Sequence, residues 1–333
     1  NELKAENANL SGVDLTGLSL VAANLKNATL TDASLNNVDL SGADLTMGTS
    51  AKLDALKAQL DGAIGLNLSH TTLSVNMPMN SIDLSGVKLM NHMVANGANL
   101  SSSMLKGVEL QHAKLAGANL NDISGAMVNL NHADLTSASL KNAYLVDAHC
   151  VGTNLSNCDL STANLENVDF KEANLTNAKL NGQDLMSVPL MGANLNGADL
   201  TDAKINPLQD FSGVSFENAN LTNVDLSGIK LDGNSLKNAN LTNVDLSGAD
   251  LSGVDMTGAT ALNVVLSGKV FVQFNKMNLS AANLSSVDFA NMASLNHCNF
   301  SSSNLTSASF EGKQLVNCNF TSANLTNADL TNV

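Results

Sequence analysis

Apolar residues return at every fifth position along most of this chain, as in Leu10, Leu15, Leu20, Leu25, Leu30, Leu35, Leu40 and Leu45. A small apolar residue, usually Ala or Val, stands two places before each, and polar residues fill the remaining positions. On an α-helix each residue turns about 100°, so a leucine every fifth residue moves on by about 140° and never gathers into a stripe. In a flat strand an odd spacing throws alternate leucines to opposite faces. The pattern fits a chain that takes one short extended step, with the small residue and the leucine both pointing inward, and then bends. Asn, Gly, Asp and Ser tolerate the backbone angles of tight turns, and Gly and Asn crowd the second place after the leucine.

A longer period lies over the short one. Asn218 to Gly228 reads NANLTNVDLSG, and Asn238 to Gly248 repeats it letter for letter, twenty residues on. Four five-residue sides therefore close one coil, and equivalent residues stack on neighbouring coils. This predicts an all-β fold, a quadrilateral parallel β-helix with a narrow packed interior. About 58 units make fourteen to fifteen coils, a rod of about 70 Å at ~4.8 Å per coil. The A(D/N)LXX pattern of these units resembles the pentapeptide-repeat proteins, and the match covers most of the chain. The resemblance implies a right-handed four-sided β-helix.

The departures from the repeat divide the chain. Residues 1–49 form the first coils, 50–65 an insertion, and 66–333 the continuation of one solenoid. From Ser50 to Ala63 the sequence SAKLDALKAQLDGA spaces Leu53, Leu56 and Leu60 by three and four and is rich in helix formers. Ser50 suits an N-cap and Gly62 or Gly65 a stop, so a short amphipathic α-helical insertion is predicted at a corner. Lys52, Leu53, Leu56, Lys57 and Leu60 are its candidate partner-binding residues, because an insertion in a regular scaffold is where specific contacts are easily built. Beyond it Leu68, Leu73, Met79, Leu84 and Leu89 thread an uneven stretch broken by Pro78. Slips of frame are expected near 90–100, 206–211, 268–279 and 289–295. Gly125 takes a leucine position, predicting a hole or a local pinch. After the last slip Phe300, Phe310 and Phe320 alternate with leucines, which puts phenylalanine on opposite faces of the same coils.

Composition narrows the function. The formal charge is −14, and all sixteen basic residues are lysine. An acidic surface without arginine is a poor phosphate binder, which argues against direct nucleic-acid binding. No apolar run approaches the ~18 residues that span a bilayer. Four cysteines in so long a chain form no disulfide framework. Cys158, Cys298 and Cys318 take the alanine position and Cys150 a leucine position, so all four read as buried apolar residues. Cys298 and Cys318 are expected on adjacent coils.

No phosphate loop, nucleophile motif or metal-ligand spacing is present, and no cofactor is expected. His112 and His132 are expected to stack, but two ligands without a third make a weak metal site. The acids before leucine, among them Asp159, Asp169, Asp225 and Asp245, read as solvated carboxylates spread by the repeat, with Asp225 stacked on Asp245. Tyr144, the only tyrosine, should face outward, and one aromatic makes no binding platform.

The reading that follows is a non-enzymatic rigid scaffold for protein–protein interaction with an unidentified partner. The resemblance adds the repeat domain of a larger bacterial protein such as a secreted effector, acting in the bacterial cytoplasm or delivered into a host cell. A chain that begins without Met and stops mid-rhythm suits an excerpt, and an uncovered end suits pairing with a second copy. The alternative, also implied by the family, is an acidic mimic of duplex DNA that binds a type II topoisomerase and inhibits or protects gyrase. Fourteen net charges on ~70 Å come to about one per 5 Å, against one per ~1.7 Å in duplex DNA.

Overall fold

The fold follows from where each backbone N–H finds its acceptor, as the five residues Asp134–Ala138 show in this computed structural model. Asp134 N donates to Ala113 O at 2.9 Å on one neighbouring coil, and Leu135 N to Asn154 O at 2.8 Å on the other. Ser137 N reaches Ser156 O at 2.8 Å, and Ala138 N closes the turn on Leu135 O at 2.8 Å. The fifth donor, Thr136 N, has no carbonyl within reach and is taken by the Asp134 carboxylate at 3.0 Å. All five are satisfied, which a buried or half-buried backbone requires. The same Asx bond recurs at Asn99–Ser101, Asp159–Ser161 and Asn324–Thr326. Asp or Asn before the leucine thus serves the backbone of the repeat as well as its polar surface.

The remaining positions sort by backbone and burial. Ala133 and Leu135 are fully buried, whereas the second place after most leucines holds a positive φ, 55° at Asn27, 58° at His132 and 68° at Gly12. That corner explains the crowding of Asn and Gly there, since both enter the left-handed region at low cost.

The structure describes residues 3–49, 52, 56, 60, 68, 72–73, 79, 81–84, 90–231, 233–251, 254–256, 258–265, 276–290 and 295–333. Two compact units are present, Asn1–Asn174 and Leu175–Val333. Their named elements are four strands of two residues. In the first unit β1 (Asp44–Leu45) pairs in parallel with β2 (Thr72–Leu73). In the second, β3 (Asp184–Leu185) pairs in parallel with β4 (Lys204–Ile205). Elsewhere single parallel bridges join the coils twenty residues apart, as at Asn24↔Asp44, Asn119↔Ser139 and Asn220↔Asn240.

The fold is therefore a β-solenoid, and the expected α-helical insertion over 50–65 is corrected: the elements of the described residues include no helix. Lys52, Leu56 and Leu60 are the described residues of that stretch. The register supplies the physical reason. Asp44 pairs with Thr72, so this coil spans 28 residues, eight more than the usual twenty. A sixteen-residue helix outside the coil exceeds that surplus. Leu56 and Leu60 are wholly buried and so contribute to the interior. Helix propensity is a weak prior that tertiary packing overrides.

Other coils depart from twenty by smaller steps. The register is 21 at Asp83↔Met104, Asn194↔Ser215 and Asn278↔Asn299, and 18 at Thr260↔Asn278. In the uneven stretch Met90, fully buried, takes the central position, with Met90 N donating to Glu109 O at 2.8 Å. Leu89, expected there from the sequence, lies outside the described residues, as does Pro78. At Gly125 the coil pinches, for a Cβ there would stand 3.2 Å from Leu145 Cδ2 and 3.3 Å from Ile123 Cδ1.

Phe289, Phe300, Phe310 and Phe320 form two columns. Phe289 stacks on Phe310 with centroids 4.6 Å apart, and Phe300 on Phe320 at 4.9 Å. The columns meet edge to face, 5.8 Å between Phe300 and Phe310, the arrangement that aromatic quadrupoles favour.

Candidate protein-binding surfaces

Polar side chains cover the coils in ladders. Asn240 Nδ2 donates to Asn220 Oδ1 at 3.1 Å, and Asn263, Asn243 and Asn223 bond in succession at 3.0 and 2.8 Å. Such surfaces are internally satisfied and give a partner little to gain.

Two places differ. On the first unit Met104, Ser124 and Tyr144 follow one another up a single bridge column that continues to Asn164. Met104 and Tyr144 are 48% and 46% exposed, on coils about 10 Å apart. Met127, also about half exposed, stands at the corner three residues beyond Ser124. Tyr144 faces outward as its position in the repeat requires, and the two methionines give it apolar company. Sequence reasoning passed over both, although each carried a signal. Met104 precedes Leu105 where Asp or Asn normally caps the turn, and Met127, at φ 56°, takes a corner usually left to Gly or Asn.

The second place is the corner at 206–210 of the second unit, where the coil carries an extra residue. Asn206 holds it: its Oδ1 accepts from Leu208 N at 2.9 Å, and its Nδ2 donates to Met186 O at 3.2 Å. Asp210 Oδ1 accepts from Ser212 N at 2.8 Å, a bond that holds the Asp210 carboxyl below the usual range. Leu208 is thrown outward, 91% exposed. Beneath it lies a cavity of about 400 Å³ lined by this corner together with Lys230 and Asn234. Asn234 occupies an alanine position and is buried. Its Nδ2 donates to Phe211 O at 2.8 Å and Val214 O at 2.6 Å. The same device serves Thr153, whose hydroxyl donates to Leu130 O at 2.7 Å, and Cys158, whose thiol approaches Leu135 O at 3.1 Å.

The residues singled out from the sequence fall as follows. Lys52 donates from Nζ to Asn27 O and from N to Thr49 Oγ1 at 3.4 Å. Leu56 and Leu60 are buried, and Leu53 and Lys57 lie outside the described residues. His112 and His132 stack at 5.0 Å, and His92 joins them at 4.6 Å from His112. Their rings lie face to face at 15° and 18°, which sets the nitrogens side by side, and no metal-ligating group of three occurs among the described residues.

Cys298 and Cys318 lie on adjacent coils, joined by Asn319 N to Cys298 O at 2.9 Å, and neither forms a disulfide. Burial pushes the Cys150, Cys158 and Cys298 thiols up to about 12. Among the described residues no helix is long and apolar enough to cross a membrane.

The carboxylates are dispersed. Asp134 lies between Lys114 and Asn154, Asp159 beside Ser139, and Asp199 between Lys179 and Asn220. Asp225↔Asp245 is the one bridge among the described residues that pairs two acids.

A family model described as a pentapeptide repeat region matches residues 124–200. A second, for pentapeptide repeats in eight copies, matches 8–46, 82–122, 209–233, 235–268 and 293–333. Comparison with curated proteins finds no match. Among solved structures the chain is similar to HetL, a pentapeptide repeat protein involved in heterocyst differentiation regulation from the cyanobacterium Nostoc sp. strain PCC 7120. Identity is 28% over 77% of this chain and 89% of that one, with a TM-score of 0.18. It is also similar to full-length QnrB1, a plasmid-mediated fluoroquinolone resistance protein, at 17% identity over 65% and 91%, TM-score 0.18. A pentapeptide repeat protein of the Arabidopsis thaliana thylakoid lumen matches at 26% over 34% and 66%, TM-score 0.14. At these TM-scores the chains do not superpose as whole molecules.

Proposed function

The chain belongs to the pentapeptide-repeat family, and from that premise we propose that it is a non-enzymatic scaffold that binds a protein partner on the face carrying Met104, Ser124 and Tyr144. The observation that carries this reading is the exposed apolar group of Met104, Tyr144 and Met127, on coils whose other outward positions are mostly polar. Scattered apolar residues need no explanation, but a cluster on neighbouring coils is the kind of surface that protein contacts desolvate. Tyr and Met also suit such a contact by their size and adaptability.

The second reading, an acidic mimic of duplex DNA bound by a type II topoisomerase, draws on the net charge of −14 and on exposed carboxylates held in their ionised form, Asp210 and Asp225 among them. A phosphate row needs closely spaced like charges, and here Asp225↔Asp245 is the acid pair. The two readings therefore place the contact on different residues.

The test is capture from bacterial and eukaryotic lysates by the full chain and by the Met104→Ser/Tyr144→Ser variant, beside direct binding to purified gyrase and topoisomerase IV. A partner held by the parent and lost by a folded variant supports the apolar face. Salt-sensitive binding to a topoisomerase that survives the variant favours the mimic. A chain that retains nothing specific overturns both.

A further inference from the structure

The corner at 206–210 holds a group that no residue satisfies. Gln209 Nε2 is buried and has no hydrogen-bond partner among the described residues. Its neighbours are otherwise well served: Asn206 ties both sides of the corner, Asp210 caps Ser212, and Asn234 takes the carbonyls of Phe211 and Val214. A buried polar end left unpaired is costly, and native structures seldom leave one without a reason. Gln209 is among the residues that line the cavity of about 400 Å³ beneath Leu208.

The walls of that cavity state what would fit. Lys230 and Asp210 supply one positive and one negative charge, so the site does not select a strongly charged ligand. The backbone of Lys230 bridges to that of Asp250 on the next coil. Leu208, 91% exposed at the rim, offers apolar surface. A peptide group carries an acceptor and a donor together and so satisfies a carboxamide at either end. Its side chain can cover the leucine.

We infer that this corner is a docking site for an extended peptide segment of a partner protein, one that gives a backbone amide to Gln209, lays an apolar side chain on Leu208 and brings no acid to the contact. The inference rests on the scaffold reading and adds to it a second contact, on the other unit and of different chemistry. A bulge in the repeat is where such a site can form, because the extra residue lifts Leu208 out and opens space that a regular coil fills with its own side chains.

The experiment pans a phage-displayed random peptide library against the full chain, and measures the selected peptides on parent, Leu208→Ala, Gln209→Met and Met104→Ser/Tyr144→Ser chains. Expected are peptides rich in apolar residues and poor in Asp and Glu, weakened about tenfold or more by Leu208→Ala and by Gln209→Met. They should bind the Met104→Ser/Tyr144→Ser chain unchanged. Peptides that depend on Met104 and Tyr144 but ignore Leu208 and Gln209 would overturn this site while leaving the scaffold reading in place. No enrichment, together with a higher melting temperature for Gln209→Met, would overturn it as well and assign the cavity to solvent. Solvent-exposed Leu208 and the volume-matched methionine keep both variants foldable.

Discussion

His132 lies over Gly152 so closely that a Cβ on the glycine would stand 2.5 Å from the imidazole Nδ1. The column of His92, His112 and His132 thus ends on a residue that has no side chain to meet the last ring. Gly152 also holds φ +62°, so it answers two demands at once. Gly107 holds φ +66° with nothing within 4 Å of a Cβ, and answers one. Gly107→Ala should cost about 1 kcal/mol through the backbone alone. Gly152→Ala should cost roughly a further 1 kcal/mol as the ring is displaced. Urea unfolding of the two variants measures the difference, and equal losses would show that the imidazole moves aside freely.

Asp134 provides the test of the repeat's hydrogen-bond arithmetic. Its carboxylate is the acceptor for Thr136 N, the one donor of the five that the coils leave over. Asp134→Asn keeps an acceptor oxygen and should change stability little. Asp134→Ala removes it at a half-exposed site, with an expected loss of about 1 kcal/mol. Thermal melts of the pair separate this role from charge, because Asn and Ala remove the same charge. Equal melting temperatures would refute the capping account.

How much of this was legible follows from how local each requirement is. Ala133, Leu135 and the corner at Ser137 obey rules contained in five residues, so the inward pair and the turn could be read directly. The twenty-residue period, written out in the copies at Asn218 and Asn238, gave the stacking of Asp225 on Asp245 and of His112 on His132. The third histidine was missed because the uneven stretch puts Met90, one residue later than Leu89, in the central position and carries His92 into the column with it.

The helix over 50–65 was misread because its composition is a local signal, while the coil from Asp44 to Thr72 is closed by pairing that composition does not record. Asn234 was legible as an anomaly, a polar residue in an alanine position. That it would bond Phe211 O and Val214 O, and that Gln209 would be left over, depends on how the extra residue folds the corner. Nothing within five residues specifies that.

The thiols give a reactivity prediction. Cys150, Cys158 and Cys298 are buried, and burial raises each to about 12, so almost no thiolate exists at neutral pH. Cys318 is half-buried and is raised as well, again by burial. In the folded chain a thiol reagent should label Cys318 first and the other three only as the chain opens. Counting labelled sites by mass against time checks the order. Rapid labelling of Cys158 would mean that its coil opens locally.

Acid should unfold the chain through its caps. Hydrogen bonds from Ser212 to Asp210, from Ser227 to Asp225, from Thr16 to Asp14 and from Thr331 to Asp329 hold these carboxyls below the usual range. A carboxyl whose folded value is depressed adds stability above its unfolded value, about 4, and loses it as pH falls through the folded one. Stability should therefore stay level from about pH 7 to 5 and decline below about pH 4. Protonation also removes the negative charges that offset sixteen lysines, and the chain becomes strongly cationic in the same window. The two causes separate by salt, which screens repulsion between exposed charges but leaves a short hydrogen bond in place. Denaturant midpoints followed by circular dichroism from pH 7 to 2, at low and high salt, test this. A decline that salt abolishes assigns acid unfolding to repulsion, and one that persists assigns it to loss of the Asx caps.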